Sequence, residues 1–80
     1  MDNNTAIIER KVWNFIEDAS EQACAEYGVN EKEVWDIKRF GYLQELAEGL
    51  SREVLGWGRS YESVRFSAIN YVRAVIMQLA

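Results

Sequence analysis

Apolar side chains recur at spacings of three and four from the first turns of the chain: Ile8, Val12, Phe15, Ile16, Ala19, Ala23 and Tyr27. Arg10, Glu17, Asp18 and Glu21 fall on the opposite side of the same wheel. This pattern predicts an amphipathic helix from about Thr5 to Tyr27. Asn4 or Thr5 is placed to accept a bond from its first free amides, and Glu9 lies near the positive end of its dipole. Gly28 supplies the stop, because a left-handed glycine lets Val29 fold back onto the last turn near Cys24. A new helix follows at once: Asn30 and Glu33 have capping-box spacing, and Val29 and Val34 flank them as a hydrophobic staple. So short a connection sets the two helices nearly antiparallel.

In the next segment the phase changes. Val34 and Ile37 fall on one side, whereas Phe40, Leu43, Leu46, Ala47, Leu50, Val54 and Trp57 line almost the opposite one. Gly41 stands at the change, and glycine costs roughly 1 kcal/mol relative to alanine in a helix interior. The spacing predicts a short helix from Glu31 to about Arg39 and a longer one from about Gly41 to Leu55, or else one helix kinked at Gly41. Gly49 reads as a point of close helix approach. In the stretch LGWGRS, residues 55–60, Gly56 or Gly58 ends that helix and Ser60 caps the next. Trp57, in phase with Leu50 and Val54, is expected to fold inward as a lid. Arg59 is left without a structural task.

The last helix is predicted from about Tyr61 onward, with one apolar stripe of Tyr61, Val64, Ala68, Tyr71, Val72, Val75 and Leu79. A second stripe, offset by about a third of a turn, holds Phe66, Ile69, Ile76, Met77 and Ala80 around Arg73. One echo crosses these elements. ERKVWNF and EKEVWDI align at an offset of 22 residues, placing Trp13 over Trp35, and Trp57 follows at the same interval. The flanks match too sparsely for a helical repeat.

Composition narrows the fold to one all-α domain over residues 1–80, a compact small bundle of three to four helices. The chain has 80 residues, no proline and only five glycines. A chain of this length buries only roughly 60 to 65% of its unfolded surface, so a partner or a second copy would add stability. The net charge of −4 is uneven: residues 1–50 carry 11 acidic and 5 basic side chains, and residues 51–80 carry four arginines and two glutamates. No stretch reaches the roughly 20 apolar residues of a membrane span, and neither a leader pattern nor a pair of cysteines appears. A reducing, cytoplasmic setting is the expectation.

The chemistry available is restricted. Histidine is absent, and with it the commonest general base and transition-metal ligand. Cys24 has no histidine partner to form its thiolate, and Glu17 with Glu21, or Glu45 with Glu48, read as solvated faces rather than metal ligands. No catalytic residue, metal or cofactor is expected.

The stretch LGWGRSYESVRF resembles the turn and the start of the recognition helix in helix-turn-helix DNA readers. The resemblance implies a small DNA-binding regulator using residues 56–73, with Arg59 and Arg65 as contacts. It departs from that pattern in a turn longer than 3 to 4 residues. It departs also in a wettable face of Glu62, Ser63, Ser67, Asn70 and Ala74, where a reader shows basic or amide groups.

The favoured reading is a non-catalytic interaction module: a small acidic regulator, adaptor or inhibitor that binds a protein partner and self-associates as a dimer through its last helix. Phe66, Ile69, Arg73, Ile76 and Met77 form the candidate contact strip, with side-chain types enriched in interface cores. Arg73 then needs an acidic partner, which the first half of the chain can supply. Glu17, Asp18, Glu21 and Glu26 form a candidate acidic contact face, and Trp13 and Trp35 are read as the rim of the core.

Overall fold

The computed structural model describes residues 3–79, and of Asn3 and Ile37 the backbone alone. Four helices follow in order: α1 (Asn3–Tyr27), α2 (Glu31–Val34), α3 (Ile37–Trp57) and α4 (Tyr61–Met77). The all-α bundle read from the apolar pattern is the architecture observed. Every apolar position expected of α1 is buried or half-buried, with Val12, Ile16, Ala19 and Ala23 in the core. The helix starts at Asn3, so Asn4 and Thr5 lie inside its first turn.

Gly28 ends α1 with a φ of 68°. The amide of Val29 donates to the Cys24 carbonyl at 3.0 Å, the six-to-one bond of a Schellman stop, and Val29 packs on the core. Asn30 then caps α2, its side chain accepting from the Lys32 amide at 3.0 Å rather than from Glu33.

The break in the middle segment falls at Trp35 and Asp36, five residues before Gly41, which lies inside α3. Asp36 makes the break. It is extended (φ −68°, ψ 162°), and its side chain accepts the Arg39 amide at 3.0 Å. A capping carboxylate, more than a helix-weakening glycine, decides where the new helix starts. Val34 and Leu43, of opposite phase, are thereby both buried; Ile37, grouped with Val34 by its spacing, lies outside the described side chains. Gly49 marks no close approach, since a Cβ there would meet nothing within 4 Å.

The second turn repeats the first in outline. Gly58 has a φ of 65°, its amide and that of Arg59 both turn back to the Glu53 carbonyl, and Ser60 caps α4 by accepting from Ser63. On α4 the fully buried positions are Val64, Ala68, Val72 and Ile76. These form a single i, i+4 row that takes three residues from the first expected stripe and one from the second.

Contacts give the topology. Phe15 lies edge-on to Tyr61 (6.4 Å) and Glu26 meets Arg73 (2.9 Å), so α1 and α4 run parallel. Trp13 stacks on Phe40 and Thr5 neighbours Leu55, so α3 runs antiparallel to α1. α1 makes its most extensive contact with α4, a smaller one with α3, while α3 and α4 touch little. α1 is therefore the helix packed from two sides. Small buried side chains on α1 (Ala19, Ser20, Ala23) and Ala68 on α4 permit that close packing. The result is a flattened molecule of 37 × 23 × 14 Å with α1 in its middle.

Trp57 does not fold inward: it is 79% exposed. α4 begins level with Lys11 and Phe15, whereas the end of α3 lies beside Thr5. At that end α1 and α3 stand without α4 over them, and Ile7, Leu55 and Trp57 are all exposed. The helical phase is as expected, but α4 does not reach that level.

Candidate functional site

The break at Asp36 swings the start of α3 so that three aromatic rings from three elements meet. Trp13 of α1 and Phe40 of α3 stack at 5.6 Å between centroids with 17° between planes. Trp35, between α2 and α3, lies 6.4 Å from Trp13 and 6.2 Å from Phe40, tilted to both. Such offset and tilted pairs are the favoured ring arrangements. The rings are not sealed: Phe40 is exposed and both tryptophans are half-buried. They form the floor of a cleft of about 640 Å³ whose other walls are Glu17, Glu21 and Glu31.

Glu17 and Glu21 are one turn apart on α1 and share a face, while Glu31 opens α2. Among the described residues the ion pairs are Arg39 with Asp36, Arg59 with Glu53 and Arg73 with Glu26, so none of the cleft carboxylates has a cationic partner. No group of three acidic or cysteine side chains among the described residues is gathered closely enough to hold a metal ion. Cys24 is buried. Its burial, and then the charges of Glu31 and Glu33, push the thiol above its ordinary range and keep it protonated.

The candidate acidic face is thus divided. Glu17 and Glu21 line the cleft, Asp18 is exposed away from it, and Glu26 is taken by Arg73. Glu31 and Phe40 were missed from sequence as members of this site. No sequence signal marked them; the 22-residue echo aligned Trp13 with Trp35, and it is the fold that brings the two rings into contact.

The strip on α4 also divides. Phe66 and Met77 are 54% and 57% exposed, Ile69 is half-buried against the core, and Ile76 is fully buried, which removes it as a contact residue; Ala80 lies outside the described residues. Arg73 finds its acidic partner within the chain. It donates to Glu26 and, at 3.3 Å, to the Tyr27 hydroxyl, and lies 5.9 Å from the centre of the Tyr27 ring. The Tyr27 hydrogen bond, then the Glu26 charge, hold the guanidinium protonated even above its ordinary range.

Arg59 has a structural task after all. It donates to Glu53 Oε2 (2.8 Å), Ser63 Oγ (2.9 Å), the Ser63 carbonyl (3.1 Å) and Ser67 Oγ (2.5 Å), tying the end of α3 to the first two turns of α4. Of the two candidate DNA contacts, only Arg65 stays exposed and forms no ion pair among the described residues. The connection itself, Gly58 to Ser60, is three residues long, within the helix-turn-helix range. Yet α3 and α4 still line a common cleft at their far ends, between Tyr42 and Tyr71, where a reading helix would have turned away. No helix among the described residues is long and apolar enough to cross a membrane.

Compared with protein families, curated proteins and solved structures, the chain shows no significant match.

Proposed function

We propose that this chain is a non-catalytic interaction module, a small acidic regulator, adaptor or inhibitor, that docks a basic segment of a partner protein in the Trp13, Trp35 and Phe40 cleft. The observation that carries the reading is the open aromatic floor walled by three carboxylates that form no ion pair among the described residues. Aromatic side chains supply contact area and unpaired charge supplies steering toward a basic surface. Crosslinked capture from cells that make the protein tests it. A partner should be recovered with wild type and lost with Glu21→Lys and with Trp35→Leu. A partner recovered equally well with all three would sink the reading.

A second reading, self-association through α4, is supported by Phe66 and Met77. They are eleven residues apart, hence three turns and about 16 Å along one face, and both are exposed. Light scattering on wild type and on Phe66→Glu with Met77→Glu is the test: a monomer in both cases removes the dimer.

A further inference from the structure

The docking reading leaves open which chemical group enters the cleft, and the geometry narrows it. We infer that the cleft takes the guanidinium of an arginine in the partner's basic segment, stacked on the aromatic floor and bonded to the carboxylates of Glu17, Glu21 and Glu31. The inference rests on the docking reading and specifies its occupant.

Three observations converge. The rings make one wall: Trp13 and Phe40 are nearly parallel and Trp35 leans on both. A quaternary ammonium is best held by rings standing around it, whereas a planar guanidinium stacks on a single aromatic surface. The carboxylates stand on two elements and are too dispersed to share a metal ion. A guanidinium reaches such an arrangement with five donors spread over a planar fork, whereas an ammonium offers three donors from one nitrogen.

The third observation is internal. Five residues beyond Glu21 on α1, Arg73 already bonds Glu26 at 2.9 Å and lies over the Tyr27 ring. The cleft repeats that pairing of ring and carboxylate with the arginine missing. Arg39, next to Phe40 in the chain, does not supply it, because its guanidinium is held by Asp36 and by the Glu33 carbonyl at 3.0 Å.

The test uses the full chain and three peptides of equal length: oligo-arginine, oligo-lysine and oligo-trimethyl-lysine. Binding is followed through the indole N–H signals of Trp13, Trp35 and Trp57, at low salt and at about 0.3 M salt. Oligo-arginine should bind roughly three- to tenfold more tightly than oligo-lysine, shift Trp13 and Trp35, leave Trp57 in place, and keep its advantage at high salt. Glu17→Gln with Glu21→Gln, both at exposed positions, should erase that advantage without loss of helical signal.

Equal affinity for arginine and lysine, a preference for trimethyl-lysine, shifts centred on Trp57, or no binding at low salt would each overturn the inference. If a Trp35-dependent partner is captured from cells while the peptides bind alike, docking stands and the guanidinium falls. Arginine-selective binding without any such partner supports the guanidinium site and overturns the docking of a partner protein.

Discussion

The chain turns back on itself twice in nearly the same way, and the two turns end up with opposite characters. Each has a left-handed glycine, one intervening residue and a capping side chain: Gly28, Val29, Asn30 and then Gly58, Arg59, Ser60. In the first the intervening residue is apolar and packs on the core, and the chain beyond it delivers Val34 to full burial and Trp35 to a ring cluster. In the second it is an arginine that bonds four acceptors, while the adjacent tryptophan stands in solvent. Similar backbone chemistry is therefore held by burial at one end of the molecule and by a polar clamp at the other. What separates them is the helix overhead: α4 runs beside α1 as far as the first turn and begins only after the second.

The comparison can be broken most sharply at the first turn. Val34→Ala, at a fully buried side chain, should cost about 2 kcal/mol in urea unfolding, with no dependence on salt. Arg59→Ala at the second turn should cost less, about 1 kcal/mol, and the loss should shrink at high salt. The Arg59–Glu53 pair is part-buried, so its charge is only partly screened. A salt-independent loss there would show that packing of the arginine stem, not the clamp, holds the turn.

Gly28→Ala and Gly58→Ala test whether the backbones are alike. Neither new Cβ meets an atom within 4 Å, so each variant should lose the same amount, about 1 kcal/mol, from the left-handed φ alone. Unequal losses would mean that one turn relaxes.

A gentler probe is acidity. Asp36, which ends the segment following the first turn, has its carboxyl held below the ordinary range, first by the Arg39 amide and then by the Arg39 charge acting against some desolvation. A lowered folded-state pKa gives stability that is present above the ordinary carboxylate range and lost as pH falls through the folded value. Asp36→Asn keeps a capping oxygen but not the charge. Wild type should exceed it at neutral pH, and the gap should close in acid; a gap unchanged by pH would place the benefit in the cap alone. Smallest of all, Trp57→Ala should change stability by under about 0.5 kcal/mol, because the ring is in solvent.

Much of this was legible in the residues. The stripe from Ile8 to Tyr27, the Gly28 stop folding Val29 onto Cys24 and the Ser60 cap are local, and periodicity and capping chemistry determine them. The sequence also showed that the middle segment had to change phase. It pointed to Gly41, although Asp36 carries the acceptor that starts α3. Propensity marks where a helix is weak, whereas a capping side chain marks where the next one begins. Ile76 failed because two stripes were drawn where one i, i+4 row from Val64 to Ile76 is buried. Trp57 failed for a different reason: a wheel gives direction around an axis, and says nothing of whether a neighbour extends to that height. The cleft was the least legible of all, since Trp13, Glu31 and Phe40 come together only through the angle at which α3 departs.

The parallel pairing of α1 with α4 also has a temporal side. The contacts between α1 and α4 join residues such as Glu26 and Arg73, 47 positions apart, and closing so long a loop precedes any return from packing. During synthesis α1 is made well before α4, the helix with which it shares its most extensive contact. Long-range pairing of this kind slows folding relative to a bundle in which each helix packs on the one just before it.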